Sequence, residues 1–282
     1  MKDIKTGEII KLYEGDRIIR KSQTEVIHKK KLNDEVKVFN ESLGGFVFVL
    51  YRYCDTLFKN LKEEDVSRLF YIATFVNYEG FIIYEKKKVT KQILGNMLNF
   101  SPKNFNIFFD DMKRQNILLE ENVNNKSYIK MNMNYFHKGK IVKEISNNNY
   151  GRIYIETIRY LYNNIQPRKR KYLGYLYKII PYIHREKNIL CFNPDAKDGE
   201  GLNIIRAADL KEFLGLHRNT IRTFINELVE IRLQDNSNII VFIKNSKDDN
   251  KLPIMINPKI FYGGNLKSVD GKNILELFKL EE

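Results

Sequence analysis

The sequence predicts a mainly α-helical protein with small β-hairpins, built from two tandem copies of one helix-turn-helix unit. Three observations carry that prediction. First, residues 89–112 (V-T-K-Q-I-L-G-N-M-L-N-F-S-P-K-N-F-N-I-F-F-D-D-M) align without a gap on residues 205–228 (I-R-A-A-D-L-K-E-F-L-G-L-H-R-N-T-I-R-T-F-I-N-E-L), at an offset of 116 (206 − 90). Apolar residues coincide at Val89/Ile205, Leu94/Leu210, Leu98/Leu214, Phe100/Leu216, Phe105/Ile221, Phe108/Phe224, Phe109/Ile225 and Met112/Leu228. Second, each block is followed by an N-x-x-[YI]-F-[HY]-x-G echo, Asn132–Gly139 and Asn257–Gly264, at an offset of 125 (257 − 132). Copy two therefore carries nine extra residues between its landmarks (125 − 116). Third, helical periodicity gives way to short apolar runs after each block, as hairpins require. A period this long marks a duplicated domain, since solenoid repeats are shorter.

Taken in chain order, residues 1–38 are polar and charged, and Thr6-Gly7-Glu8 and Glu14-Gly15-Asp16 signal turns. They read as an N-terminal arm, with short apolar pairs suited to a hairpin or partial order. Phe39–Leu61 reads as a helix through Phe46, Val49, Leu50, Tyr53, Leu57 and Phe58, and Glu63–Asn77 as another. Phe81–Tyr84 reads as a short strand before Lys86-Lys87-Lys88. Two short helices follow, Thr90–Leu98 and Pro102–Gln115, with Ser101 as the cap and Pro102 in the first turn, where a missing N–H costs nothing. Asn116–Glu121 and Ser127–Met133 form a hairpin across Asn122–Asn125. Helices, a two-helix reader and a hairpin, in that order, make a winged helix.

The second half repeats the plan. Helices are predicted at Gly151–Asn164 and Arg168–Tyr182, a strand at Asn188–Phe192 and a Pro/Asp/Gly loop at Asn193–Asn203. Helices at Arg206–Leu214 and Arg218–Ile231 precede strands at Ile239–Ile243 and Pro253–Ile256, with Lys244–Lys251 as the hairpin tip. The domain plan is an arm (1–38), winged helix 1 (39–140), a linker (141–149) containing Asn147-Asn148-Asn149, winged helix 2 (150–267) and a C-terminal docking helix (268–282).

Composition narrows the function. The 48 Lys+Arg residues outnumber 35 Asp+Glu, and the net charge of +13 favours an anionic partner. Abundant Lys, Ile and Asn with no Trp suggest an AT-rich coding bias, so single lysines weigh little. Cys54 and Cys191 lie far apart in apolar surroundings and read as buried thiols of a reducing, cytoplasmic compartment. No apolar run approaches the ~20 residues of a membrane span. Metal-ligand spacing, a Gly-rich phosphate loop, a G-x-S-x-G elbow and H-E-x-x-H are all missing, so neither a catalytic residue nor a cofactor is expected.

The reading helices define the candidate interface. Copy two places Arg218, Asn219, Thr220, Arg222, Thr223 and Asn226 on the outer face, with Gly215 at the turn and Leu216 as its plug. Arg pairs with guanine edges and Asn with adenine edges in the major groove of double-stranded DNA. Copy one offers Lys103 and Asn104, but Asp110 and Asp111 follow on the same helix and oppose deep groove entry. There, DNA contact and dimerisation are equally open. Arg168-Lys169-Arg170-Lys171 stands at a helix start, where positive charge opposes the dipole; phosphate neutralisation accounts for it. Lys244 and Lys247 at the second hairpin tip add to the same surface.

These residues carry a resemblance. Thr6-Gly7-Glu8-Ile9, Val89–Met112 with Met131–Gly139, and Ile205–Leu228 with Ile256–Gly264 resemble the winged-helix replication proteins of plasmids and phages of low-GC Gram-positive bacteria, the RepL-like group. Two such units in one chain are also similar to iteron-binding plasmid initiators, in which two winged helices flank a pseudo-twofold. That likeness implies an N-terminal unit that dimerises and touches DNA backbone, and a C-terminal unit that reads bases. The expected role is initiation or control of plasmid or phage replication. A transcriptional regulator of a mobile element and a tandem winged-helix interaction module are the alternatives. A second copy of the chain and the replication or transcription machinery are the further partners expected.

Overall fold

The computed structural model describes residues 21–50, 58, 60–139, 150–197, 201–243, 252–264 and 273–274. The linker (141–149), the second hairpin tip and most of the C-terminal segment thus lie outside the described residues. The chain divides into two units, Met1–Phe39 and Asn40–Glu282. Of the first, the described part is helical: α1 runs Lys21–Ser42, where the sequence suggested a hairpin or an arm. Only low-propensity Gly44-Gly45 ends it, both with positive φ (70° and 79°), a conformation glycine adopts without strain.

After those glycines comes a correction. Phe46–Leu50, expected to be helical, is strand β1, buried from Val47 onward. The run F-V-F-V-L is aromatic and β-branched, and it sits at the centre of a sheet where both faces are covered. Helix α2 (Glu63–Ala73) follows, with Glu63, Glu64 and Asp65 in its first turn. Strands β2 (Ile83–Tyr84) and β3 (Lys87–Lys88) make a tight hairpin across Glu85 and Lys86. Helices α3 (Lys91–Met97) and α4 (Pro102–Arg114) then precede the hairpin of β4 (Leu118–Val123) and β5 (Lys126–Met131). Its tip is Asn124-Asn125, within the expected Asn122–Asn125 but shorter because β4 runs on to Val123, and both residues have positive φ, as a primed two-residue turn demands. The short strand β6 (Phe136–His137) closes this half.

The second half opens with another correction: Tyr150–Tyr154 is strand β7, and helix α5 begins only at Ile155, ending at Asn164. A 3-10 turn at Pro167–Lys169 leads into α6 (Arg170–Lys178), and a second one, Ile180–Tyr182, follows it where Pro181 stops the helix. Asn188–Phe192 makes only isolated bridges, Ile183 to Leu190, Ile189 to Met255 and Cys191 to Ile204. Helix α7 (Leu210–Leu214) starts four residues late, because Arg206–Asp209 is a turn in which the Asp209 carboxylate accepts from the Arg206 N–H. Then come α8 (Arg218–Glu230), β8 (Ile240–Phe242), β9 (Ile254–Ile256) and β10 (Phe261–Tyr262). The described residues are mixed α/β, 44% helical and 22% strand, with eight α-helices and small antiparallel sheets, so helix predominates less than the sequence suggested.

The duplication reaches further than the sequence showed. One four-stranded sheet runs β6-β1-β7-β10. Both N-x-x-[YI]-F echoes end on its outer edges: Phe136 opposite Val49, Phe261 opposite Ile153. Strands β1 and β7 pair antiparallel at the centre, with Phe48 opposite Arg152. Val49 and Ile153, which hold equivalent edges, lie 104 residues apart (153 − 49), and so do Phe48 and Arg152 (152 − 48). The strand order and register are therefore twofold-symmetric about that pair. Helices α2 and α6 pack on each other in the same relation, starting 107 residues apart (170 − 63). Phe70 and Tyr177, separated by the same interval (177 − 70), stack ring on ring at 4.1 Å and 10°. At this crossing Gly174 lies so close that a Cβ there would sit 1.9 Å from the Glu63 carbonyl oxygen. Lys178 Nζ donates to Glu63 Oε1 at 2.7 Å across the same seam, and Tyr71 of α2 stacks on Tyr162 of α5.

Candidate nucleic-acid interface

The second helix-turn-helix is built on α7 and α8. Gly215 ends α7 at φ 62°, with nothing near its open side, and Leu216 is the half-buried plug of the turn. Helix α8 buries Ile221, Phe224 and Leu228, spaced three and four apart, and Phe224 meets Tyr175 of α6 edge-on at 5.4 Å. That packing turns Arg218, Asn219, Arg222, Thr223 and Asn226 to solvent, while Thr220 is half-buried. The Thr223 hydroxyl donates to the Asn219 carbonyl at 3.0 Å, so it offers a ligand only its lone pairs and methyl group. No side chain caps the N-terminus of α8, and its first turn contains no acid.

The first helix-turn-helix has the same skeleton. Thr90 caps α3 and Ser101 caps α4, accepting from the Ile93 and Asn104 N–H groups. Helix α4 buries Phe105, Phe108, Phe109 and Met112. Its outer side exposes Lys103, Asn104, Asn106, Ile107 (62% exposed) and Asp110. Asp110 faces Lys91 of α3 at 3.8 Å, and Asp111 accepts from Gln115 at 3.2 Å. Phe100, the turn plug, lies under the Arg68 guanidinium at 4.4 Å. In the first hairpin Lys113 pairs with Glu120 and Lys130 with Glu121, leaving Lys126 exposed at the tip.

The basic cluster divides. Arg168 is exposed, and among the described residues it donates to its neighbour Gln166 Oε1 at 3.1 Å. Lys169 Nζ lies 2.6 Å from Glu227 Oε2 on α8, and that hydrogen bond raises its pKa. Arg170 is committed internally: its Nε donates to the Tyr162 carbonyl at 2.9 Å and its guanidinium covers the Tyr162 ring at 4.0 Å. Lys171 is half-buried, with its Nζ 5.2 Å from the Tyr172 ring centre. Two of the four cations thus serve the fold, and Lys169 anchors α8, a contact across 58 residues (227 − 169) that local sequence does not announce. Lys244 and Lys247 fall outside the described residues.

Other chemistry is muted. Tyr71, Tyr172, Tyr175 and Tyr177 are all buried; burial pushes Tyr175 up to about 12 and Tyr177 higher still, which suits them to packing. Cys191 is a buried free thiol pushed by burial to about 11, and Cys54 lies outside the described residues. Among the described residues no group of three His, Cys, Asp or Glu is placed to hold a metal, and no helix is long and apolar enough to cross a membrane. Comparison with protein-family models, with curated proteins and with solved structures found no match.

Proposed function

We propose that the chain is a sequence-specific double-stranded-DNA-binding protein of two winged helix-turn-helix units, which initiates or controls replication of a plasmid or phage without a catalytic step of its own. The outer face of α8 carries this reading. Its outer face presents Arg218, Asn219, Arg222 and Asn226 over the first three turns, with no carboxylate up to Asn226, while the opposite face is locked into the core. A helix so held can enter the major groove N-terminus first. Arg218 and Arg222 suit bidentate contact with guanine O6 and N7, and Asn219 and Asn226 suit adenine N6 and N7, at about 1–3 kcal/mol of discrimination each. Arg168 and Lys171, beside the anchored end of α8, are the phosphate partners. Lys169 acts through Glu227 to fix the angle of the helix.

For copy one, a specific observation favours a different task. Ile107 and Asp110 occupy the positions at which copy two has Thr223 and Asn226, so this unit suits an organising role against backbone or protein. A titration of salt against affinity tests the whole reading, using duplexes from the chain's own locus. Binding should weaken by a slope of about 0.9 per neutralised phosphate. If no such duplex is retarded even at low salt, the DNA reading is lost. A footprint over direct repeats identifies a replication origin, and one over a promoter identifies a transcriptional regulator.

A further inference from the structure

Helix α1 is 22 residues long, and Val26, Ile27 and Val38 stand 64, 56 and 63% exposed on it. A solvated helix of this length is marginal in water unless one face is covered. Six residues at i, i+3, i+4, i+7, i+8 and i+11 share a face: Ile27, Lys30, Lys31, Asp34, Glu35 and Val38. With Phe39 they line one shallow groove along the helix, and all six are exposed. Along that face the order is apolar, basic, basic, acidic, acidic, apolar. Turned end for end, it complements itself at every position: Ile27 meets Val38, Lys30 meets Glu35 and Lys31 meets Asp34. Each pair is centred on one point, midway between positions 32 and 33.

We propose that α1 is a self-association helix, pairing antiparallel with α1 of a second copy about that point. A twofold contact of this kind is isologous, so each complementary pair occurs twice. Parallel pairing is disfavoured because it sets Lys30 on Lys30 and Asp34 on Asp34. Nucleic acid is a poor occupant, since the two cations of this face are matched by two carboxylates. Only Ile27 and Val38 contribute apolar ends, so the interface falls at the small end of specific contacts and the dimer is weak and concentration-dependent. The charges then determine orientation and partner more than strength. This pairing is independent of the DNA-binding reading.

Sedimentation of the full chain over a range of concentrations tests it. The wild type is expected to pass from monomer to dimer. Lys30→Glu with Lys31→Glu, and separately Asp34→Lys with Glu35→Lys, should each weaken self-association at least tenfold. An equimolar mixture of the two variants should restore a dimer containing one of each, which a merely misfolded variant would not do. A wild type that stays monomeric at the highest concentration overturns the proposal. So does a mixture that stays monomeric, and so do charge-reversed variants that dimerise as well as the wild type; the last result moves self-association to another surface, with the outer face of α4 the next to examine.

Discussion

Helices α4 and α8 are each 13 residues long and bury equivalent positions, yet they face solvent with different chemistry. Where α8 shows Arg218, Asn219, Arg222, Thr223 and Asn226, α4 shows Pro102, Lys103, Asn106, Ile107 and Asp110. The outer charge is +2 on the first set and zero on the second. Their N-termini differ too: Ser101 caps α4, while no side chain caps α8. The lesson is that the inner face of such a helix is dictated by the core it must fill, and the outer face by what it meets. One skeleton thus presents two outer faces of different chemistry, the contrast on which the proposed division into reader and organiser rests.

That comparison presumes that the two halves are held together, and the tightest joint is the place to break it. At Gly174 a Cβ would collide first with the Glu63 backbone, and backbone cannot swing aside as a side-chain end does. Gly174→Ala should destabilise the chain by about 3 kcal/mol, read as a fall in the thermal unfolding midpoint. A near-unchanged midpoint means that α2 and α6 can slide apart, and the symmetric frame is softer than their contact implies.

The division of labour itself is tested by paired substitutions. Arg218→Ala with Arg222→Ala should cost roughly 100-fold or more in affinity for the specific site. Both residues are exposed, so thermal stability should hold. Lys103→Ala with Asn104→Ala on α4 should cost less than about tenfold. A reversed order of effects would make copy one the reader. Within the basic cluster a finer separation is expected. Arg168→Ala should lower the salt slope by about 0.9, whereas Arg170→Ala should leave the slope unchanged and lower stability by about 1 kcal/mol, through loss of its bond to the Tyr162 carbonyl.

Why some of this was legible follows from where the information lies. Both helix-turn-helix blocks and their echoes could be read because caps, plugs and periodicity are local: Ser101, Gly215 and the Phe105/Ile221 series each act within a few residues. The central strands could not. Phe46–Leu50 is short, apolar and buried, and such a run fits a helix face as well as a strand until its partner, β7, is known. The likeness of α2 and α6 is four residues deep, Val66, Ser67, Leu69 and Phe70 against Leu173, Gly174, Leu176 and Tyr177, too short a match to stand out until Phe70 and Tyr177 are seen stacked. The basic run at 168–171 looked uniform because its division depends on Tyr162 and Glu227, residues that approach only in the folded chain.

The smallest expected effect bears on whether copy one approaches DNA at all. Asp110 is largely exposed and its pairing with Lys91 is long, so Asp110→Asn should change stability by less than about 1 kcal/mol. What it removes is a negative charge at the position equivalent to Asn226 on the outer face of α8. If α4 lies along a phosphate backbone, losing that repulsion should tighten binding about threefold at low salt, and the gain should shrink as salt screens it. The salt dependence separates this from a general change in folding, which would not fade with ionic strength in the same way. No gain at any salt concentration would place α4 away from the duplex, leaving its exposed Ile107 as a contact for protein.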